Sequence, residues 1–397
     1  MAADYDETAL LRLAKRYGNK QRSYLLVNPL QAKHIPVSPR RALQMMFRLG
    51  QIVSAQGSGG KLVIGFAETA TAIGAVVAQS LGEDSLYITT TRENIIDGEW
   101  LSFAEEHSHA VTQRLDVSKL AALSNDASPL VFVDDEISTG HTLLNATKKL
   151  KLLCSQLSAR HVLAASVINR QNEEQARTFE KSGVDMCCLL RLPQNDYATI
   201  VENFTVDAPI VIDEHNDSAV AQSFVAPKNG VAEVAFLSDD NLNYADPRRG
   251  VIIGKYFSVC RKNALRLVDG LAAFGLKKWR RLLILGTEEC MLPALILGEE
   301  IEREYPSLDV FCHATTRSPI GVCRAADYPI TNGYVIPSFY DKNRVTYIYN
   351  LASYDAAVVL TDSLNVPDIA VEGLAKVLGL YGVERLFIAK MAGEVYV

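Results

Sequence analysis

Short apolar runs and longer amphipathic stretches alternate along the first half of this chain. Ser38 followed by Pro39 opens a helix, with serine as N-cap and proline at the first helical position, and the helix runs to about Gln56 before Gly-Ser-Gly-Gly. Lys61 to Ile64 then predicts a strand, Gly65 to Thr71 a loop and Ala72 to Ser80 a helix. Leu86 to Thr91, Leu130 to Val133, His161 to Asn169 and Met186 to Leu190 predict further strands. Strands alternating with helices predict an α/β fold on a doubly wound parallel sheet, which holds its ligands outside the carboxyl ends of the strands.

One segment, Leu130 to Thr142, carries most of the chemistry. Its apolar run ends abruptly in Asp134 and Asp135, and the loop Glu136 to Thr142 leads into the helical stretch Leu143 to Leu153. A strand, a loop of small and hydroxylated residues and a helix N-terminus together form an anion cradle, because free N–H groups and the positive end of the helix dipole point at whatever sits there. Gly140, lacking a Cβ, lets the backbone turn tightly and approach a phosphate. Two adjacent carboxylates beside a phosphate site suggest a ligand with both a phosphate and vicinal hydroxyls, usually with Mg²⁺. A ribose 5-phosphate meets that description.

Composition narrows the class. The chain has 397 residues, 48% hydrophobic and 22% charged, which is enough for two domains. A net charge of −6 argues against a general nucleic-acid or membrane-surface binder. No stretch approaches the length of a spanning helix, and the charged N-terminal segment Met1 to Lys20 lacks an apolar signal region, so a cytoplasmic protein is expected. Seven cysteines, with no Cys-x-x-Cys pair, are expected to be reduced and mostly buried.

Leu130 to Thr142 resembles the signature of type I phosphoribosyltransferases: an apolar strand, two acidic residues and a Thr-Gly-x-Thr loop. The resemblance implies that Asp134 and Asp135 hold the ribose hydroxyls of phosphoribosyl pyrophosphate (PRPP) and any Mg²⁺ associated with them. It implies that Ser138, Thr139, Gly140, His141 and Thr142 wrap the 5-phosphate. The loop after the first strand, with Ala67, Glu68 and Thr69, takes the place of the pyrophosphate loop, although a plain strand-to-helix turn would have the same composition. The segment Thr89 to Gln113 takes the place of a mobile hood, with Arg92 neutralising the departing pyrophosphate. His107 and His109 within it are either a metal pair or surface histidines, and Lys33-His34-Ile-Pro36 belongs either to the hood or base side or to a surface turn. Members that act on 6-oxopurines carry aspartate two residues before the cradle glycine. Ser138 stands there and cannot act as a carboxylate base, which disfavours hypoxanthine and guanine.

The second half repeats the first without its cradle. Leu283-Ile-Leu-Gly286 followed by Glu289 and the helical Leu292 to Glu304 matches Leu62-Val-Ile-Gly65 followed by Glu68 and a helix. Thr315-Thr316-Arg317 matches Thr90-Thr91-Arg92, and Asp355 to Asp362 matches Ser128 to Asp135. After Asp362 there is neither an acidic pair nor Thr-Gly-x-Thr, and Pro367 removes a donor, so no PRPP site is expected there. Thr316-Arg317-Ser318-Pro319, downstream of such a transferase domain, resembles the TRSP domain that follows PRTase_2-type domains in bacterial gene clusters linked to tellurite and stress resistance. Thr316, Arg317 and Ser318 are therefore second-domain candidates, for an interface or for a different substrate.

These observations predict three regions. Residues 1–210 form a phosphoribosyltransferase-like domain, 211–250 a turn-rich linker and 251–397 a related but degenerate α/β domain. Arg248, Arg249 and Lys255 form a small basic cluster expected to be a solvated turn or an anion contact. The expected activity is Mg²⁺-dependent transfer of ribose 5-phosphate from PRPP to a small-molecule, base-like acceptor, with no membrane partner and an architecture compatible with a homo-oligomer. The alternatives are a PRPP- or nucleotide-binding regulator and, less well matched because its motif lies in the other lobe, a PRPP synthetase.

Overall fold

The structure is a computed structural model. It describes residues 5–19, 22–57, 62–95, 97–103, 113–120, 128–192, 195–212, 231, 233–237, 242–391 and 393–394.

The first lobe begins with α1 (Glu7–Leu10) and the antiparallel pair β1 (Arg12–Lys15) and β2 (Tyr24–Val27). Helix α2 (Pro39–Ser54) starts as its caps require, with the Ser38 hydroxyl accepting from Arg41 N at 3.5 Å and proline in the first turn. Then follow β3 (Leu62–Gly65), α3 (Thr71–Leu81), β4 (Leu86–Thr89), the antiparallel hairpin β5 (Trp100–Phe103) and β6 (Gln113–Asp116), β7 (Leu130–Ile137), α4 (His141–Leu153), β8 (Val162–Asn169), α5 (Glu173–Lys181), β9 (Val184–Arg191) and α6 (Tyr197–Glu202). The sheet order is β4-β3-β7-β8-β9, all parallel.

Among the described residues, four short strands join the lobes: β10 (Ile210–Val211), β11 (Glu233–Phe236), β12 (Asn243–Tyr244) and β13 (Val251–Ile252). The second lobe then runs α7 (Ile253–Ala273), β14 (Arg281–Gly286), α8 (Leu292–Glu304), β15 (Asp309–Ala314), the antiparallel hairpin β16 (Gly333–Pro337) and β17 (Val345–Tyr349), β18 (Ala356–Thr361), α9 (Asp368–Gly379), β19 (Arg385–Lys390) and β20 (Gly393–Glu394). Its parallel sheet has the order β15-β14-β18-β19-β11, and β12 pairs with β20. Strand for strand, β4-β3-β7-β8 and β15-β14-β18-β19 are the same topology, and each lobe inserts an antiparallel hairpin between its second and third strands.

The lobes share a core. One continuous apolar cluster takes Leu43 and Met46 of α2, Val76 of α3, Phe257 of α7 and Leu297 of α8, together with Val131 of one sheet and Ile284 and Val358 of the other. Four helices are thus sandwiched between two sheets. Every residue of α3 from Thr71 to Ala78 is buried, which accounts for its weak amphipathicity, since water meets neither side. Gly298 permits the close approach of α8 to α2: a Cβ there would lie 2.8 Å from Pro39 Cγ. The outer faces close separately, with Leu143, Leu144 and Leu150 of α4 on the first sheet and Leu374 and Val377 of α9 on the second.

Segments near the join cross in both directions. Strand β10 pairs with β16 of the second lobe, whereas β13 adds an antiparallel edge to the first sheet beside β4. The motif strand is longer than its apolar run predicts. It continues through Asp134, Asp135 and Glu136 to Ile137, because β8 supplies ladder partners as far as Asn169. All seven cysteines are free thiols, five of them buried. Among the described residues no helix is long and apolar enough to cross a membrane.

Candidate functional site

Residues Asp134 to Thr142 pass from β7 into α4 at the carboxyl end of the first sheet. Asp134 Oδ1 accepts from Asp135 N at 2.9 Å, which folds the acidic pair onto one turn of backbone, and both residues are half-buried. Gly140 is the N-cap of α4 in the left-handed region, φ 81°, and no side chain caps the helix. A Cβ on Gly140 would lie 2.2 Å from the Phe179 ring, so close packing and backbone sign both call for glycine. Within this turn His141 N donates to Thr139 Oγ1 at 3.3 Å. His141 is exposed, and Ser138, Thr139 and Thr142 are half-buried. With no cap from a side chain, the amides of the first turn keep the electrostatics of an anion site.

The Ala67–Thr69 loop converges on the same place. Thr69 Oγ1 donates to Asp135 Oδ1 at 2.8 Å, and Gln31 Nε2 donates to Thr69 O at 3.0 Å. Ala67 N donates to Thr90 Oγ1 at 2.8 Å, Thr90 Oγ1 donates to Gln113 Oε1 at 2.6 Å, and Gln113 Nε2 returns to Ala67 O at 2.5 Å. The Ala67–Glu68 peptide bond is cis. Sequence spacing alone does not show that this loop and the acidic pair are bonded together, because they lie 66 residues apart.

Glu68 faces away from that turn. Its carboxylate is 5% exposed and lies 2.5 Å from Lys33 Nζ. Burial opposes its charge, yet Lys33 and then Arg317 hold its carboxyl down at about 2. Lys33 is wholly buried and also donates to Glu288 O at 2.7 Å and Thr315 O at 2.9 Å in the second lobe. His34 is 3% exposed, and burial followed by the neighbouring Lys33 charge pushes its pKa down to about 3. Lys33 and His34 are therefore interior, with Ile35 and Pro36 half-buried, and the surface-turn expectation is corrected. The polar composition of this segment hides this, because the ion pair that permits burial is far away in sequence.

Arg92 follows Thr91 just beyond the carboxyl end of β4. Its backbone N donates to Glu289 Oε1 at 2.8 Å, and Thr91 Oγ1 donates to Glu289 Oε2 at 2.7 Å. His107 and His109 lie outside the described residues. Among the described residues no three His, Cys, Asp or Glu side chains group as a metal site.

Sequence reasoning missed Arg22, Glu136 and Arg170. Glu136, directly after the acidic pair, is gripped by Arg22 Nη2 at 2.6 Å and Arg170 Nη1 at 2.8 Å. Both guanidinium groups stack on the Tyr24 ring, at 4.9 and 5.1 Å from its centroid. The adjacency of Glu136 to Asp135 was an available signal, whereas Arg22 comes from a distant hairpin. Asp135 also adds to the field that keeps Arg22 charged.

The second lobe uses the matching positions differently. Asp362 is 6% exposed and accepts from Arg248 Nη2 at 2.6 Å, from Tyr244 OH at 2.7 Å and from Tyr340 OH. Arg248 is buried between Asp362 and Asp246, which corrects the solvated-turn expectation for that residue. Thr316 Oγ1 accepts from Ser318 N at 3.2 Å. Arg317 bonds to Glu288 at 2.5 Å within its lobe and to Glu93 of the other lobe, with Glu68 at 3.9 Å. The Thr-Arg-Ser triplet thus lies at the junction between the lobes.

Two family models match the chain, one on each side of the join. A family model described as phosphoribosyl transferase, PRTase_2, matches residues 10–191, and one described as the TRSP domain C-terminal to PRTase_2 matches residues 259–378. No curated protein matches the chain. Among similar solved structures is the adenine phosphoribosyltransferase of Giardia lamblia complexed with 9-deazaadenine, at 17% identity and TM-score 0.36, covering 48% of this chain and 99% of that one. The Saccharomyces cerevisiae enzyme is 18% identical with TM-score 0.32, over 46% of this chain and 96% of that one. The Trypanosoma brucei enzyme in complex with AMP, pyrophosphate and ribose-5-phosphate is 16% identical with TM-score 0.34, over 46% of this chain and 76% of that one. Matched in that order, the two family models make this chain a phosphoribosyltransferase of the PRTase_2 type with a TRSP domain at its C-terminal side.

Proposed function

We propose that the chain transfers ribose 5-phosphate from PRPP to a base-like acceptor in a Mg²⁺-dependent reaction that releases pyrophosphate. The observation that carries this reading is the 2.8 Å bond between Thr69 and Asp135, which ties the candidate leaving-group loop to the candidate ribose acids beside an open helix N-terminus. In this reading Asp134 and Asp135 grip the ribose hydroxyls, and the backbone and hydroxyls of Ser138, Thr139, Gly140, His141 and Thr142 hold the 5-phosphate. The backbone of Ala67, Glu68 and Thr69 faces the pyrophosphate, and the Arg92 guanidinium meets its growing charge.

The residues fit Mg²⁺. Two neighbouring half-buried carboxylates, grouped with no third His, Cys, Asp or Glu among the described residues, suit an ion that is usually bound by one or two carboxylates and completed by water and substrate oxygens. Bound there with PRPP, it would neutralise the phosphate oxygens and the departing pyrophosphate. The acceptor lone pair forms a bond to the anomeric carbon while the bond from that carbon to pyrophosphate oxygen breaks, its electron pair leaving with pyrophosphate, and the proton on the acceptor nitrogen is released to water. Positioning and charge suffice for this, so no side-chain nucleophile is needed.

The test is a titration with PRPP in the presence and absence of Mg²⁺, followed by labelled-PRPP turnover against a panel of purine and pyrimidine bases. Mg²⁺-dependent binding with base-dependent pyrophosphate release is the expected result. Binding without turnover on any base would turn the assignment toward a PRPP-binding regulator, and absence of binding would overturn the donor site.

A further inference from the structure

The two lobes exchange equivalent contacts. In the first lobe Thr90 N donates to Gly65 O at 2.9 Å and Thr90 Oγ1 accepts from Ala67 N; in the second, Thr315 N donates to Gly286 O at 3.1 Å and Thr315 Oγ1 accepts from Glu288 N at 3.0 Å. Each Thr-Thr-Arg turn then meets a glutamate from the opposite lobe. Glu68 of the first lobe accepts from Arg317 N at 3.4 Å, and Glu289 of the second accepts from Arg92 N and from the Thr91 hydroxyl. The exchange is unequal in tightness. Glu289 makes two short bonds, is 8% exposed, and also presents its carbonyl to the Thr71 hydroxyl at 2.8 Å, at the first residue of α3.

We propose that Glu289, supplied by the TRSP lobe, is a positioning residue for the pyrophosphate end of the donor site. It fixes Thr91 and the Arg92 backbone at the root of the hood and, through Thr71, the helix that follows the Ala67–Thr69 loop. The proposal rests on the reading of Arg92 and that loop as the leaving-group end. It assigns the second lobe a role that its own closed Asp362 site does not supply. The bonds of Glu289 go to Thr71, Thr91 and Arg92, whereas the turn from Ser138 to Thr142 is built by β7 and α4. Its effect is therefore confined to one half of the donor.

That confinement gives the test. The full chain is titrated with Mg²⁺-pyrophosphate and, separately, with ribose 5-phosphate. Glu289→Ala is expected to weaken pyrophosphate binding roughly tenfold while leaving ribose 5-phosphate binding within about twofold. Glu289→Gln can still accept from Arg92 N–H and donate to the Thr91 hydroxyl, so it should stay within about threefold of the unaltered chain for both ligands. Thr91→Val, which removes the hydroxyl donor from the other lobe, should show the same selective loss even if Glu289→Ala fails to fold. Equal weakening of both ligands would indicate general damage and overturn the proposal, as would no change in either. An unaltered chain that binds neither ligand would instead overturn the donor site itself.

Discussion

Asp135 and Asp362 stand at the same register in two sheets of the same topology, and they have opposite fates. Each lies two residues beyond the strand residue that pairs with a glycine, Val133 with Gly65 in one lobe and Leu360 with Gly286 in the other. Asp135 is half-buried, held on one oxygen by Thr69, and followed by a glycine turn into an uncapped helix. Asp362 is closed over by Arg248, Tyr244 and Tyr340, and the chain beyond it enters α9 through Pro367. A ligand site needs polar groups whose bonding capacity is kept for a guest. An element of the core needs every such group satisfied by the protein. The same strand end can serve either purpose, and its neighbours decide which.

The sharpest way to break this comparison is to neutralise each acid. Asp134→Asn with Asp135→Asn should lower PRPP affinity about 100-fold or more, measured by titration calorimetry with Mg²⁺. Asp362→Asn should leave that affinity unchanged and instead cost on the order of 3 kcal/mol of stability in a urea melt, because buried Arg248 loses a charged partner. Unchanged PRPP affinity in the double variant would remove the acidic pair from the site, and weakened PRPP binding in Asp362→Asn would end the contrast.

The loops after the two acids allow a second contrast. Gly140→Ala puts a methyl against Phe179 at a positive φ, and it should cost about 2 kcal/mol and lower PRPP affinity roughly tenfold. Leu364→Ala, in the corresponding loop and 65% exposed, should leave PRPP affinity unaltered. Equal effects on affinity would deny the first loop its special role.

The third contrast concerns pH and leaves PRPP affinity aside. Glu68 and Glu289 occupy matching positions, yet their carboxyl groups move in opposite directions from the ordinary value of 4.5. Burial pushes Glu289 up to about 7, against Arg248 and Arg317 and assisted by Glu93. The folded chain keeps a proton there that the unfolded chain releases, so this stabilisation is complete below 4.5 and is lost as pH rises toward 7. Glu68, at about 2, contributes above 4.5, and its contribution fades as pH falls toward 2. Urea midpoints should therefore decline on both sides, each limb on the order of 2 kcal/mol. Glu289→Gln should flatten the neutral limb alone; a limb that persists would assign it to another group.

Several features were legible because they are local. The helix predicted at Leu292 to Glu304 forms with those bounds, and the strand Leu130 to Val133 forms and then extends. The internal repeat was visible as spaced Gly, Thr-Thr-Arg and Asp positions, and it became a shared strand order in the sheets. Lys33, Arg248 and Glu289 were not legible in the same way. Charged residues in polar surroundings look solvated in sequence, and their partners lie far along the chain: 114 residues for Arg248 with Asp362 and 197 for Arg92 with Glu289.

The sequence by itself determined the α/β class, the duplication, and the acid pair placed before a glycine-bearing turn, because periodicity, breakers and helix-start chemistry act over a few residues. Tertiary structure decided which acids remain open, which charges are buried, and that each lobe bonds to the other's Thr-Thr-Arg turn. The reason is physical: a buried charge is tolerated only when its partner arrives in space, and chain separation carries no record of that meeting.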